Sequence, residues 1–272
     1  MTSGGTGEHV GLGTDRPHNA RVYDYLLGGK DHFAADRAAA EAILKAAPSI
    51  RISMRANRRF MARATHHVAA ELGICQFLDV GAGLPATPNL HEVAQAVTPH
   101  ARVVYVDNDP IVLVHGRALM DSTVQGSTSF VRADLSDPEG ILAAPEVASG
   151  FDLARPVGLS LITVLQFVLD DEQARSIVGT LTAPLAAGSA LVLGVITDDG
   201  SPEEGRRGRT AYRASGIPTR HRTRAEVHAL IPPEFELVEP GIVLVHRWRP
   251  GEEDAAVRDL EVFVHGAVAV KR

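Results

Sequence analysis

The sequence predicts an α/β fold: a mostly parallel sheet with helices on both faces. Three observations carry this. Short apolar, β-branched segments recur from residue 76 onward, helical patterns separate them, and residues 235–270 hold two extended segments with no helix between them.

The elements follow in order. Ser49, after Pro48, is placed to cap a helix in which Phe60, Ala64, Val68 and Leu72 recur every fourth position until Gly73 closes it. Strands are expected at 76–80, 102–107, 128–132, 157–161 and 190–195, with helices between them at 89–97, 110–120, 139–143 and 173–181. Thr223 and Glu226 form a capping box that opens a short helix to residue 231, stopped by Pro232 and Pro233. The extended segments 235–238 and 263–270 then read as an antiparallel pair. Residues 197–220 are polar, with Gly, Pro and a basic cluster at 206–213, and read as a long loop, either a substrate lid or a solvated connection.

The 272 residues suffice for one large α/β domain or a domain with an appendage. Lys and Arg total 27 against 33 Asp and Glu, a net charge of −6, which argues against bulk nucleic-acid binding. Cys75 stands alone, so neither an intrachain disulfide nor a cysteine metal cluster is expected, and no histidine pattern suggests a metal. The Gly- and Ser-rich start reads as a loose tail over 1–15 rather than a secretory signal. No apolar run approaches a membrane span, and a cytoplasmic location is expected.

Chemistry concentrates where the first strand ends. Gln76 to Val80 runs into Gly81, Ala82 and Gly83, and the next strand ends in Asp107. Ligands of open α/β sheets sit beyond the carboxyl ends of strands, where glycine lets the main chain approach closely. Asp107 is then placed to accept from ribose hydroxyls. Gly81, Gly83 and Ala86 also fit the looser dinucleotide fingerprint, so a nicotinamide-dependent oxidoreductase is a rival. Pro85 and Pro88 weaken it, because they lack the N–H donors a pyrophosphate needs and delay the helix to about residue 89. A further acid, Asp134, ends the third strand and suits an adenine amino group, with Leu135 and Ile111 to pack on the ring. These features favour a nucleoside without phosphates.

The ordered set Phe77 to Gly83, Val104 to Asp109 and Arg132 to Leu135 resembles a class I S-adenosylmethionine-dependent methyltransferase. The segment 19–37, Arg55 to Arg58, Gly83-Leu84-Pro85, Asp107 to Pro110 and the stretches 197–200, 237–241, 247–250 and 266–271 narrow this. They resemble an actinobacterial methyltransferase family formerly listed as a domain of unknown function. The resemblance covers nearly everything from Arg16 onward. It implies a Rossmann-like seven-stranded sheet with an antiparallel C-terminal strand pair and an N-terminal helical cap over 16–73, forming one unit with 74–272. It implies S-adenosyl-L-methionine as cofactor, S-adenosyl-L-homocysteine as product and a small-molecule methyl acceptor. Asp79, Gly81 and Gly83 would line the methionine moiety, Asp107 the ribose and Asp134 the adenine, with Asn108 and Leu135 beside the ring and Ser160 to Thr163 near the sulfonium. Gln166-Phe167 departs from the His-Phe pair expected in relatives.

Around Gly28-Gly29 stand Tyr23, Tyr25, Lys30, Asp31 and His32, a composition that, with the resemblance, reads as a cap over the pocket. Arg51, Arg55, Arg58 and Arg59 form a basic helical stripe, which is either a solvated face or, at Arg58, a clamp on the cofactor carboxylate. His66 and His67 read as structural or surface residues, and His18, His32 and His221 are candidate bases. Two other functions remain open: an NAD(P)-dependent oxidoreductase and a non-catalytic adenosyl-ligand-binding regulatory protein.

Overall fold

The computed structural model describes residues 13–272, so most of the tail expected over 1–15 lies outside the described residues. Three helices lead in: α1 (Asn19–Leu27), α2 (Ala34–Ala46) and α3 (Ile50–Ala70). Strands and helices then alternate through β1 (Gln76–Val80), α4 (Leu90–Val97), β2 (Arg102–Asp107), α5 (Pro110–Leu119), β3 (Ser127–Arg132), α6 (Pro138–Ala143), α7 (Pro145–Ala148), β4 (Gly158–Ile162), α8 (Asp171–Thr182) and β5 (Ala190–Ile196). The chain ends with α9 (Pro202–Ala214), α10 (Arg224–His228), β6 (Phe235–Leu237), β7 (Val243–Leu244) and β8 (Val264–Lys271).

The sheet runs β3-β2-β1-β4-β5-β8-β6, and the short β7 pairs with β8 as an eighth strand. The first five strands in sequence are parallel to one another, while β8 is antiparallel to β5, β6 and β7. Strand order reverses at β1 and β4, which opens a crevice beyond their carboxyl ends.

Alternation along each strand makes two cores. Phe77, Val103 and Val192 face α3, where Phe60, Val68 and the fully buried Trp248 pack. Their neighbours Leu78, Val104, Leu191 and Leu193 face Ile177 and Leu181 of α8 on the other side. A strand buried on both faces has no polar alternation, which is why the segments read as continuous apolar runs.

Three expectations change. The region 197–220 is not a long loop, because 202–214 forms α9. Pro202 starts that helix, Glu203 and Glu204 lie in its first turn, and Arg207 pairs with Glu203 at 2.7 Å. Its buried stripe is Gly205, Gly208 and Tyr212, spaced as a helix face but nearly invisible to a hydrophobic pattern. The stripe lets α9 lie close on α2, where a Cβ at Gly208 would meet Ala47 at 3.2 Å. Ser49 precedes α3 as expected, but its side chain caps nothing; its N–H and hydroxyl donate to Glu204 of α9 at 2.7 and 3.3 Å. The capping box at Thr223 and Glu226 forms, yet α10 stops at His228 instead of residue 231.

Candidate functional site

A cavity of about 480 Å³ opens at the crevice, within the usual size of small-ligand pockets. Its floor is the turn after β1. Gly81 and Ala82 donate their N–H groups to Val106 O at 2.8 and 3.1 Å, which lays the turn across the end of β2. Gly81 adopts φ +81°, and a Cβ there would sit 2.5 Å from Val164, so only glycine fits on two independent grounds. Gly83, at φ +69°, lines the cavity with open space where its side chain would be.

Asp107 joins the turn to the next helix. Its Oδ2 accepts from Gly83 N and its Oδ1 from Asp109 N, both at 2.9 Å, leaving the second lone pair of each oxygen for a ligand in the cavity it lines. Burial raises its pKa, while these two N–H donors pull it down. Asp134 lies one strand further out. It accepts from Ser136 N and Oγ at 2.9 and 2.7 Å and from Asn108 Nδ2 at 2.8 Å, and the Ser136 bonds hold its carboxyl below the usual range.

Asp79 sits deeper. Desolvation pushes its pKa up to about 6 against the opposing pull of the Ser160 hydroxyl and the Arg58 guanidinium. Ser160 stands beside it because β1 and β4 pair Asp79 with Ser160. The raised value makes a testable stability effect. Folded Asp79 keeps its proton up to about pH 6 and unfolded Asp gives it up near 3.8, so its contribution is complete below the lower value and is lost as pH rises through the upper one. Asp79→Asn should therefore be more stable than the wild type at pH 7, by at most about 3 kcal/mol. In urea titrations that gain should disappear by pH 4.

The opposite wall is apolar. It consists of Tyr23, Met54, Phe167, Tyr212, Ile217 and Pro218. Burial raises the pKa of both phenols, so they stay neutral. Asn57 donates to the Tyr23 hydroxyl at 3.2 Å and reaches Thr163 Oγ1 at 3.5 Å, tying α1, α3 and the end of β4 together. Thr163 carries φ +52°, a costly conformation for a β-branched residue, in the cavity wall. Thr163→Gly should raise stability by about 1 kcal/mol, read as a higher denaturation midpoint. The substitution also removes the hydroxyl facing Asn57.

Most of the residues singled out from the sequence meet here. Tyr23, Arg58, Asp79, Gly81, Gly83, Asp107, Asn108, Asp134, Leu135, Thr163 and His18 all line the cavity. Ser160 lies behind the wall, buried beside Asp79, and Ile111 is buried with Ala20, Leu84 and Val112 instead of facing the cavity. Arg58 spends Nη2 on the carbonyls of Ala86 and Pro88, fixing the loop before α4. His18 caps α1 and faces Asp109 at 3.1 Å. His32 lies off the cavity, with Nε2 at Gly29 O and its ring edge-on to Tyr25, and of the glycine-pair cluster only Tyr23 reaches the wall. His67 is buried against Trp248 and Arg249. His221 stands one layer behind Thr219, a cavity residue.

Sequence reasoning missed Tyr212, Ile217 and Thr219, which arrive through α9 and the chain that follows it. Arg220 N bonds Gln166 O and Arg222 N bonds Ile196 O, each at 2.8 Å, so this chain crosses the ends of β4 and β5. The helical spacing of Gly205, Gly208 and Tyr212 was the available signal. No helix among the described residues is long and apolar enough to cross a membrane.

Comparison with known proteins agrees with this geometry. At the level of fold, magnesium protoporphyrin IX methyltransferase from Synechocystis, with S-adenosylhomocysteine bound, aligns at TM-score 0.54 and 14% identity over 92% of this chain and 93% of its own. A putative methyltransferase from Thermobifida fusca is 39% identical, at TM-score 0.88, over 98% of this chain and all of its own. A DUF574 family protein from Streptomyces avermitilis reaches 47% identity and TM-score 0.93 over 96% of this chain and all of its own. No curated protein matches. The class is thus a Rossmann-like, S-adenosylmethionine-dependent methyltransferase. The family model described as S-adenosyl methyltransferase matches residues 6–272, and the chain belongs to that family.

Proposed function

We propose that the chain methylates an uncharged small molecule held against the apolar wall, with the cofactor in the half of the cavity beyond β1, β2 and β3. The carrying observation is that division: apart from His18, the charged lining residues are Arg58, Asp79, Asp107 and Asp134, and the wall of Tyr23, Phe167, Tyr212 and Ile217 carries none.

The residues fit the cofactor. Asp107, already oriented by two N–H donors, offers its remaining lone pairs to ribose hydroxyls. Asp134 and Asn108 present an acceptor and an amide at the adenine edge, with Leu135 against the ring. Asp79 and Arg58, of opposite charge, suit the amino and carboxylate groups of a methionine moiety. Gly81 and Gly83 keep the floor low. When bound, S-adenosylmethionine supplies a methyl group already activated by the sulfonium. The chain's contribution is to orient the acceptor and exclude water, through Tyr23, Asn57, Thr163, Tyr212 and Ile217. Residues 16–73 act as a cap on this crevice and form one structural unit with 74–272, because α1 and α3 supply part of its wall.

Calorimetry with S-adenosylmethionine, S-adenosylhomocysteine and NADH tests the reading. Binding of both adenosyl ligands and not of NADH is expected, and binding of NADH alone would overturn it.

A further inference from the structure

We propose that Asp198, His221 and Thr219 form a proton relay that lets the enzyme methylate a neutral hydroxyl. This deepens the reading above and rests on it. Thr219 lines the cavity, and its Oγ1 lies 3.2 Å from His221 Nε2. His221 Nδ1 lies 2.5 Å from Asp198 Oδ1. Both His221 and Thr219 are buried, and Asp198 is one-quarter exposed at the outer end.

The chemistry sets the direction. An ionised carboxylate can only accept, so His221 carries its proton on Nδ1 and presents a bare Nε2. The Thr219 hydroxyl then donates to Nε2, and its lone pairs are left to accept from a hydroxyl in the cavity. The same logic of nucleophile, imidazole and orienting carboxylate recurs on unrelated folds. Here the threonine passes a proton and forms no covalent bond.

In the step, a lone pair of the acceptor oxygen forms the bond to the methyl carbon, and the carbon–sulfur bond breaks with its pair left on sulfur. The acceptor's proton moves to Thr219 Oγ1 as the threonine's own proton moves to His221 Nε2. The resulting imidazolium is paired with Asp198, which opens toward solvent. An uncharged wall disfavours an acceptor that enters already ionised, so a proton must be taken after binding. Thr219 is the catalytic residue, and His221 and Asp198 act through it.

The surroundings keep the imidazole in this role. Arg209 of α9 faces Asp198 Oδ2 at 3.4 Å, and Arg220 donates to the His221 carbonyl while pairing with Asp171 and Glu226 at 2.9 and 2.6 Å. Gly205 leaves room for the Asp198 carboxylate, since a Cβ there would lie 2.4 Å from its Oδ1.

The test uses the full chain, methyl-tritiated S-adenosylmethionine and a panel of phenols and alcohols. Transfer to a hydroxyl is expected. Thr219→Val should lower kcat about 100-fold with little change in KM, and Thr219→Ser should restore most of it. His221→Asn should lower kcat as far as Thr219→Val does, with little change in KM, and Gly205→Ala, which displaces Asp198, should lower kcat in a folded protein. Independently of turnover, histidine 15N NMR of the ligand-free chain should show the His221 proton on Nδ1. Wild-type kcat in Thr219→Val or in His221→Asn, or a proton on Nε2, would each overturn the relay. Cofactor binding without transfer to any hydroxyl would also overturn it and leave the proposed function standing, whereas failure to bind either adenosyl ligand would remove that function itself.

Discussion

Asp107→Ala should weaken S-adenosylhomocysteine binding by about 100-fold or more, measured by calorimetry. Two charge-assisted hydrogen bonds to ribose hydroxyls at about 1.5–3 kcal/mol each would account for a loss of that size. The substitution also orphans the N–H groups of Gly83 and Asp109, which the carboxylate now holds at 2.9 Å, so Gly83 loses its side-chain tie to the end of β2 while Gly81 and Ala82 keep theirs to Val106 O. Asp107→Asn keeps one acceptor oxygen, and with it one of the two N–H groups and one ribose hydroxyl, so it should lose only about 10-fold. Affinity unchanged in both variants would remove Asp107 from the ribose.

The second large effect is on stability. Arg222 is fully buried and donates from Nε to Asp171 at 2.9 Å, from Nη1 to Leu165 O at 2.8 Å and from Nη2 to Val168 O at 2.8 Å. Arg222→Met leaves the buried Val168 carbonyl without a donor, the Leu165 carbonyl with only the Val168 N–H at 3.2 Å, and Asp171 without one of its partners. Asp171 is one-third exposed and keeps Arg220, so the loss falls mainly on the buried carbonyl, at about 1–3 kcal/mol for a buried group left unsatisfied, a sizeable share of a domain's net stability of roughly 5–15 kcal/mol. Arg222→Lys should recover little, since an ammonium cannot span the planar fork. A urea midpoint within experimental error of wild type would show that the guanidinium does not pin residues 165–168. Those residues carry Gln166 and Phe167 into the cavity, so acceptor binding should fall with stability.

The side of the cavity beyond β1, β2 and β3 was legible because its signals are local. A strand that stops at Gly81 and Gly83 and acids that end the next two strands announce themselves within a few residues. Parallel topology then brings all three strand ends to one edge. Pro85 and Pro88 carried information of the same kind, and α4 does begin only after the Asn89 cap. The wall contributed by α9 and the chain after it was less legible. Tyr212 and Thr219 stand in a polar, basic stretch whose helix buries two glycines and one tyrosine, too little apolar surface to register as a helix. Arg58 lines the cavity, but nothing local shows that one of its nitrogens holds the loop after β1.

By itself the sequence determined the strand order's raw material, the glycine turn, the acids at the strand ends and, through the combined motifs, the methyltransferase family. These depend on periodicity, backbone freedom and residues close in the chain. Only the tertiary structure decided that α9 closes the far wall and that Asp198, His221 and Thr219 form one chain of hydrogen bonds. It also decided that Arg222 anchors the segment between them. Those arrangements join residues far apart in sequence through packing and desolvation, and no local pattern encodes which distant partner a buried polar group will find.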